Sequence, residues 1–141
     1  MCLIACAYRC HPDYPLILAG NRDEFHGRPT ADAAPWPDAP QVVGGRDLEA
    51  GGSWLALSGR GRLAAVTNVR RMAQPLPGAP SRGALVADFV RGEARAANAA
   101  VALLDRAPAY AGFNLLLWDG DTLEYVCLLY TSPSPRDLST S

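Results

Sequence analysis

The chain has 141 residues, 49% of them apolar, and a formal net charge of −1. That is the size of one domain with enough apolar content to bury a core, and so small a charge favours neither nucleic acid nor an anionic membrane as a partner. All 13 basic residues are arginine, which excludes Schiff-base, P-loop and kinase-type lysine chemistry.

In chain order, Cys2 to Cys10 reads as a strand. Both of its faces are mostly apolar, which predicts a central strand covered on both sides. A turn at Pro12-Asp13-Tyr14-Pro15 returns the chain through Leu16-Ile17-Leu18-Ala19 to Gly20-Asn21-Arg22-Asp23-Glu24-Phe25. Such a hairpin sets Arg22 and Asp23 beside Cys2. Residues 27–40 carry Pro29, Pro35, Pro37 and Pro40 around Trp36, a density that predicts an ordered loop. Gln41 to Gly44 reads as a short strand. Ser53–Leu57 and Leu63–Asn68 read as a hairpin about Gly59-Arg60-Gly61-Arg62.

Ser81 is placed to cap a helix over about residues 82–91 with a stripe of Leu85, Val86, Phe89 and Val90. A second helix is expected over about 93–106, with Ala97, Ala100, Val101 and Leu104 on its apolar face and Pro108 beyond its end. Phe113–Trp118 and Thr122–Cys127 make a last hairpin about Asp119-Gly120-Asp121. The segment from Thr131 to Ser141 holds a single apolar residue, Leu138, and predicts no core contribution. The expected division is therefore residues 1–127 as the folded region and 128–141 as a disordered or foreign tail. No secretory signal or membrane span is visible, so the four cysteines, Cys2, Cys6, Cys10 and Cys127, are expected as free thiols in a reducing cytoplasm.

Five blocks carry a resemblance. Met1-Cys2 with Asn21-Arg22-Asp23-Glu24-Phe25, then Gly51-Gly52-Ser53-Trp54-Leu55, Ala64-Ala65-Val66-Thr67-Asn68, Ser81-Arg82-Gly83-Ala84-Leu85 and Gly112-Phe113-Asn114-Leu115 resemble, in order, the pattern of the NRDE family. This family is also called the transport and Golgi organisation family. It is in turn similar to the N-terminal-nucleophile hydrolases, with the bile-salt and penicillin amidases as nearest relatives. The resemblance implies an α+β fold, an N-terminal-nucleophile-hydrolase-like αββα sandwich, present here only as its N-terminal part.

It also implies roles. Cys2 becomes the first residue once Met1 is removed, and its freed α-amine would take the thiol proton; the amine's reference pKa of about 7.7–8.0 suits that task. Arg22 would stand by the thiolate, and Asp23, or Glu24 in its place, by the ammonium. Asn68 ends the strand after which related amidases carry an oxyanion-hole Asn, a donor worth roughly 10²–10³ in rate. The expected reaction is attack on a small amide or acyl compound through a thioester. The alternative is a non-enzymatic protein that handles a hydrophobic ligand, lipid or haem. No cofactor or metal is expected. Cys6 to His11 misses a c-type haem spacing by one residue; Cys2, Cys6, Cys10 and His11 lack the second cysteine pair of a zinc site; and His26 reads as a solvent-facing loop residue, with a proton shuttle as the alternative.

Overall fold

The computed structural model of the chain describes residues 2–69 and 77–129. Among them, two α-helices and eight strands form a mixed α+β structure with two antiparallel sheets. β1 (Leu3–Tyr8) and β2 (Leu16–Asn21) make a two-stranded sheet. β3 (Thr30–Trp36), β4 (Ala39–Asp47), β5 (Leu55–Ser58), β6 (Leu63–Asn68), β7 (Phe113–Trp118) and β8 (Leu123–Leu128) follow one another across a six-stranded sheet. α1 (Gly83–Arg91) and α2 (Ala96–Leu104) lie between β6 and β7 in the chain and pack on that sheet.

Strand periodicity explains the core. Ala56, Ala64 and Leu117 are consecutive register partners across β5, β6 and β7, as are Val66 and Leu115 across β6 and β7. Side chains one residue apart point to opposite faces, so these residues share a face with Val42 and Phe113. They are buried with Leu85, Val86, Phe89 and Val90 of α1, which is the stripe read from the sequence. The opposite face carries Val43, Leu57, Leu63 and Trp118, and Tyr8 of β1 meets Trp118 edge-on with ring centroids 5.9 Å apart.

Four expectations need correction. β1 is not central: it pairs with β2, no other described strand joins it, and Leu3 and Ile17 stay 65% and 45% exposed. An apolar run encodes a tendency to be buried without naming what buries it. The proline-rich stretch is not a loop but the β3–β4 hairpin, turning at Pro37-Asp38. β3 is an edge strand with two register irregularities, the position where a sheet tolerates a proline such as Pro35. Trp36 closes this hairpin onto the core, its indole N–H donating to the Gly44 carbonyl at 2.9 Å.

The second helix is shorter than expected and rotated. Ala96 and Leu103 are buried, whereas Val101 and Leu104 face out. In the run Ala-Ala-Asn-Ala-Ala-Val-Ala-Leu-Leu nearly every side is apolar, so periodicity cannot fix the buried face. Ser81 does not cap α1 by its side chain: the helix starts after Arg82 with no side-chain cap, and the Ser81 carbonyl accepts the Ala84 N–H at 3.2 Å. The last hairpin turns at Gly120, whose φ is +95°, and β8 takes in Leu128, one residue further than read. The tail reading for Thr131–Ser141 lies outside the described residues.

Candidate active site

The site begins with the register of the first hairpin. Leu3 pairs with Asn21, and the Leu3 N–H donates to Asn21 Oδ1 at 3.2 Å. Continuing that pairing by one residue sets Cys2 opposite Arg22. The chain leaves the strand there, and the Asp23 N–H turns to donate to Cys2 Sγ at 3.2 Å; the sulfur also lies 3.7 Å from the Asp23 carbonyl. The half-buried thiol is thus held by the backbone of the residue after Arg22, as hairpin geometry requires.

The two carboxylates beside it differ. Glu24 accepts the Phe25 N–H at 2.9 Å and stands 3.9 Å from an Arg22 nitrogen. Asp23 offers Cys2 its main chain. The Arg22–Glu24 pair is loose, the kind worth about 0–1 kcal/mol at a surface.

These residues border a cleft of about 1120 Å³. Each of the five sequence blocks contributes to its lining: Cys2 with Arg22 to Phe25; Ser53, Trp54 and Leu55; Val66 and Asn68; Ser81, Arg82 and Gly83; and Gly112. Blocks spread over more than a hundred positions therefore converge on one cavity. Asn68, the last residue of β6, is exposed and lies on this lining. The cleft holds all four residues assigned to the site from sequence, Cys2, Arg22, Asp23 and Asn68.

Two close approaches build the cavity wall. The first turn of α1 packs against Gly52-Ser53: the Gly83 carbonyl accepts the Ser53 N–H at 3.3 Å, and a Cβ on Gly52 would lie 2.8 Å from both Ala84 N and Gly83 Cα. Only glycine allows backbones so near each other. The second approach is at Gly112, whose carbonyl accepts the Val69 N–H at 3.0 Å and Arg82 Nη1 at 2.8 Å.

Three lining residues went unassigned in the sequence reading. Arg28 donates from Nη2 and Nε to one oxygen of Asp47 at 2.7 and 3.2 Å, and sits 3.3 Å from Glu49. The bond to Asp47 raises the Arg28 pKa further above neutrality. Partial burial opposes ionisation of Asp47, yet Arg28 and the N–H groups of Ala50 and Glu49 outweigh it and hold the carboxyl below its usual range. Arg82 is half-buried, and desolvation, the largest effect on it, lowers its pKa; the nearby Glu24 charge raises it and Arg28 lowers it again. Arg82 lies in the Ser81–Leu85 block, which carries a signal in the sequence; Arg28 and Asp47 pair across 19 residues, which no local pattern reveals.

The other thiols lie apart from this chemistry. Cys6 and Cys127 are exposed, and Cys10 Sγ lies 3.3 Å from the Tyr8 carbonyl. His11 Nδ1 accepts the Asp13 N–H at 3.1 Å. Among the described residues no helix is long and apolar enough to cross a membrane.

The sequence pattern of the family described as Transport and Golgi organisation 2 matches residues 1–140. A Transport and Golgi organization 2 homolog of Mus musculus is 36% identical over 129 residues, covering 86% of this chain and 46% of its own length. A human homolog is 34% identical over 137 residues, covering 92% of this chain and 49% of its own. The Transport and Golgi organization protein 2 of Drosophila melanogaster is 42% identical over 99 residues, 64% of this chain and 35% of its own length. The chain spans about half the length of the mouse and human relatives it matches.

Proposed function

The chain belongs to the Transport and Golgi organisation 2 family, and on that premise we propose that its cleft is the site of an N-terminal-cysteine amidase-like activity on a small amide or acyl compound. The observation that carries this reading is the convergence of five separated blocks on one cavity that also contains the second residue's thiol. With Met1 removed, the Cys2 α-amine accepts the thiol proton. The sulfur adds to the acyl carbon, the C–N bond breaks, and the amine departs with the proton. Water then hydrolyses the thioester. Asn68 is assigned to the oxyanion, Arg22 to the charge on sulfur and Asp23 to the ammonium.

Lowering a thiol pKa by two units from about 8.5 raises the thiolate fraction at pH 7 about 25-fold, while the lost basicity takes back roughly 6–10-fold. Orientation and oxyanion stabilisation therefore have to supply most of the rate, and a backbone N–H fixed on the sulfur favours that division of labour. The helix layer on one face of the six-stranded sheet, with the β1–β2 hairpin against Trp118 on the other, fits the N-terminal portion of an αββα sandwich. Four free thiols suit a reducing cytoplasm.

The test is acylation. Treatment with p-nitrophenyl octanoate is expected to leave one octanoyl group on Cys2, in a chain lacking Met1, and none on Cys2→Ala. Labelling spread evenly over Cys2, Cys6 and Cys10 would end this reading. A second reading, carriage of a hydrophobic ligand, is favoured by Val43 and Leu57, which line the cleft yet stay 40% and 49% exposed; it needs no activated thiol.

A further inference from the structure

Among the described residues, one cation of the cleft lacks a carboxylate partner. Among those residues four arginines and four carboxylates line it. Three of the arginines stand within 4 Å of a carboxylate: Arg22 with Glu24, Arg28 with Asp47, and Arg46 with Asp38. Arg82 has no such partner among the described residues. Among the described residues its guanidinium makes one hydrogen bond, from Nη1 to the Gly112 carbonyl at 2.8 Å, although the group carries five donors. Burial disfavours this half-buried cation, and the first turn of α1 holds no acidic side chain.

The tether also sets a geometry. With Nη1 held by Gly112, the Nε–Nη2 edge stays available, and that edge presents two parallel N–H groups matched to a carboxylate fork. Apolar surface from Trp54, Leu55, Val66 and Val69 lines the same cleft. A second negative charge on the ligand would meet the field of Glu24, which Arg82 feels, so one charge fits better than two.

From this we infer that Arg82 is the specificity residue of the cleft. It takes the carboxylate of an amphipathic monoanion whose apolar part lies along Trp54 and Leu55. The inference rests on the cleft being the ligand site, as proposed above, and names the class of substrate that reaches Cys2: an acyl compound or amide bearing one carboxylate.

The experiment is calorimetric titration of the full chain with octanoate and with octanamide, which share an apolar tail and differ in charge. Octanoate is expected to bind about tenfold or more tightly than octanamide, the worth of a charge-assisted fork. Arg82→Gln should abolish that preference, and Arg82→Lys should keep only part of it, because a point charge replaces the fork. Equal affinities of the parent for octanoate and octanamide overturn the inference without any variant. An octanoate preference that survives in a folded Arg82→Gln overturns it as well. Cys2 acylation by p-nitrophenyl octanoate is scored separately: a preference for octanoate without acylation rejects only the nucleophile, and acylation without the preference rejects only Arg82.

Discussion

Gly52→Ala is the sharpest test of how the cavity wall is built. The new Cβ would lie 2.8 Å from Ala84 N and from Gly83 Cα, with the Gly83 carbonyl carbon nearer still. Ordinary contact begins near 3.4 Å, so the start of α1 must retreat by roughly 0.6 Å or more. Backbone cannot swing aside as a flexible side chain does. Overpacking of this kind costs about 1–3 kcal/mol. The retreat also pulls Arg82 from Gly112, now 2.8 Å from Nη1, which forfeits about 1 kcal/mol more.

Equilibrium urea unfolding should therefore show a loss of about 2–4 kcal/mol at unchanged slope, and thermal melts a fall of roughly 3–5 °C per kcal/mol. Gly27→Ala is the matched comparison, because nothing lies within 4 Å of its added methyl; it should change stability by less than about 0.5 kcal/mol. If Gly52→Ala melts like the parent, the backbone crossing is not as tight as described and the reasoning fails.

Three further outcomes are expected. The Asp119 carboxylate accepts N–H groups of Ala96, Asp121 and Thr122 at 2.8–3.0 Å; burial opposes its ionisation, but these bonds win and hold its pKa well below the carboxylate range. Because the folded value lies below the unfolded one, its contribution is full above about pH 4 and lost as pH falls through the folded value. Asp119→Ala should cost about 1–2 kcal/mol at neutral pH and less in strong acid; a pH-independent loss in urea titrations would contradict this. Arg62, buried over the Phe89 ring and giving two bonds to the Phe89 carbonyl at 2.9 and 3.0 Å, should lose about 2–4 kcal/mol on Arg62→Ala. Arg62→Met should recover more than half of that in the same assay, since burial already disfavours the cation. Arg22→Ala should slow haloacetamide alkylation of Cys2 near neutral pH while moving the melt by under about 1 kcal/mol; an unchanged alkylation profile in a folded protein removes Arg22 from the site.

The parts legible in the sequence are those encoded locally. The turn at Pro12–Pro15 and the charges after Asn21 were enough to bring Asp23 to Cys2, because an antiparallel hairpin admits few registers. The stripe of α1 was legible because Arg82, Asp88 and Arg91 interrupt its apolar residues. α2 was not, since alanine on all sides leaves its orientation to packing. The proline-rich hairpin is not legible because only interior strands exclude proline, and the edge position of β3 is set by the assembled sheet. In the site, Cys2, Arg22 and Asp23 are neighbours through one hairpin, whereas the Arg82–Gly112 contact spans 30 residues and depends on where a helix lands on a sheet.

Arg62 and Arg82 hold opposite ends of α1. One binds the Phe89 carbonyl near its last turn, and the other, at its start, reaches the strand-leading Gly112 carbonyl. The helix is thereby pinned against sliding along its axis. Among the described residues the β1–β2 hairpin meets the large sheet through Tyr8 against Trp118, through Tyr8 Oη and Arg9 donating to the Asp121 carbonyl at 3.3 and 2.9 Å, and through Gly20 beside Trp54. The cleft thus has one stiff bank and one compliant bank, and the thiol sits on the compliant one. Amide hydrogens of Val86 to Val90 should exchange only with global opening, whereas those of Ile4 to Tyr8 should exchange through far cheaper local excursions.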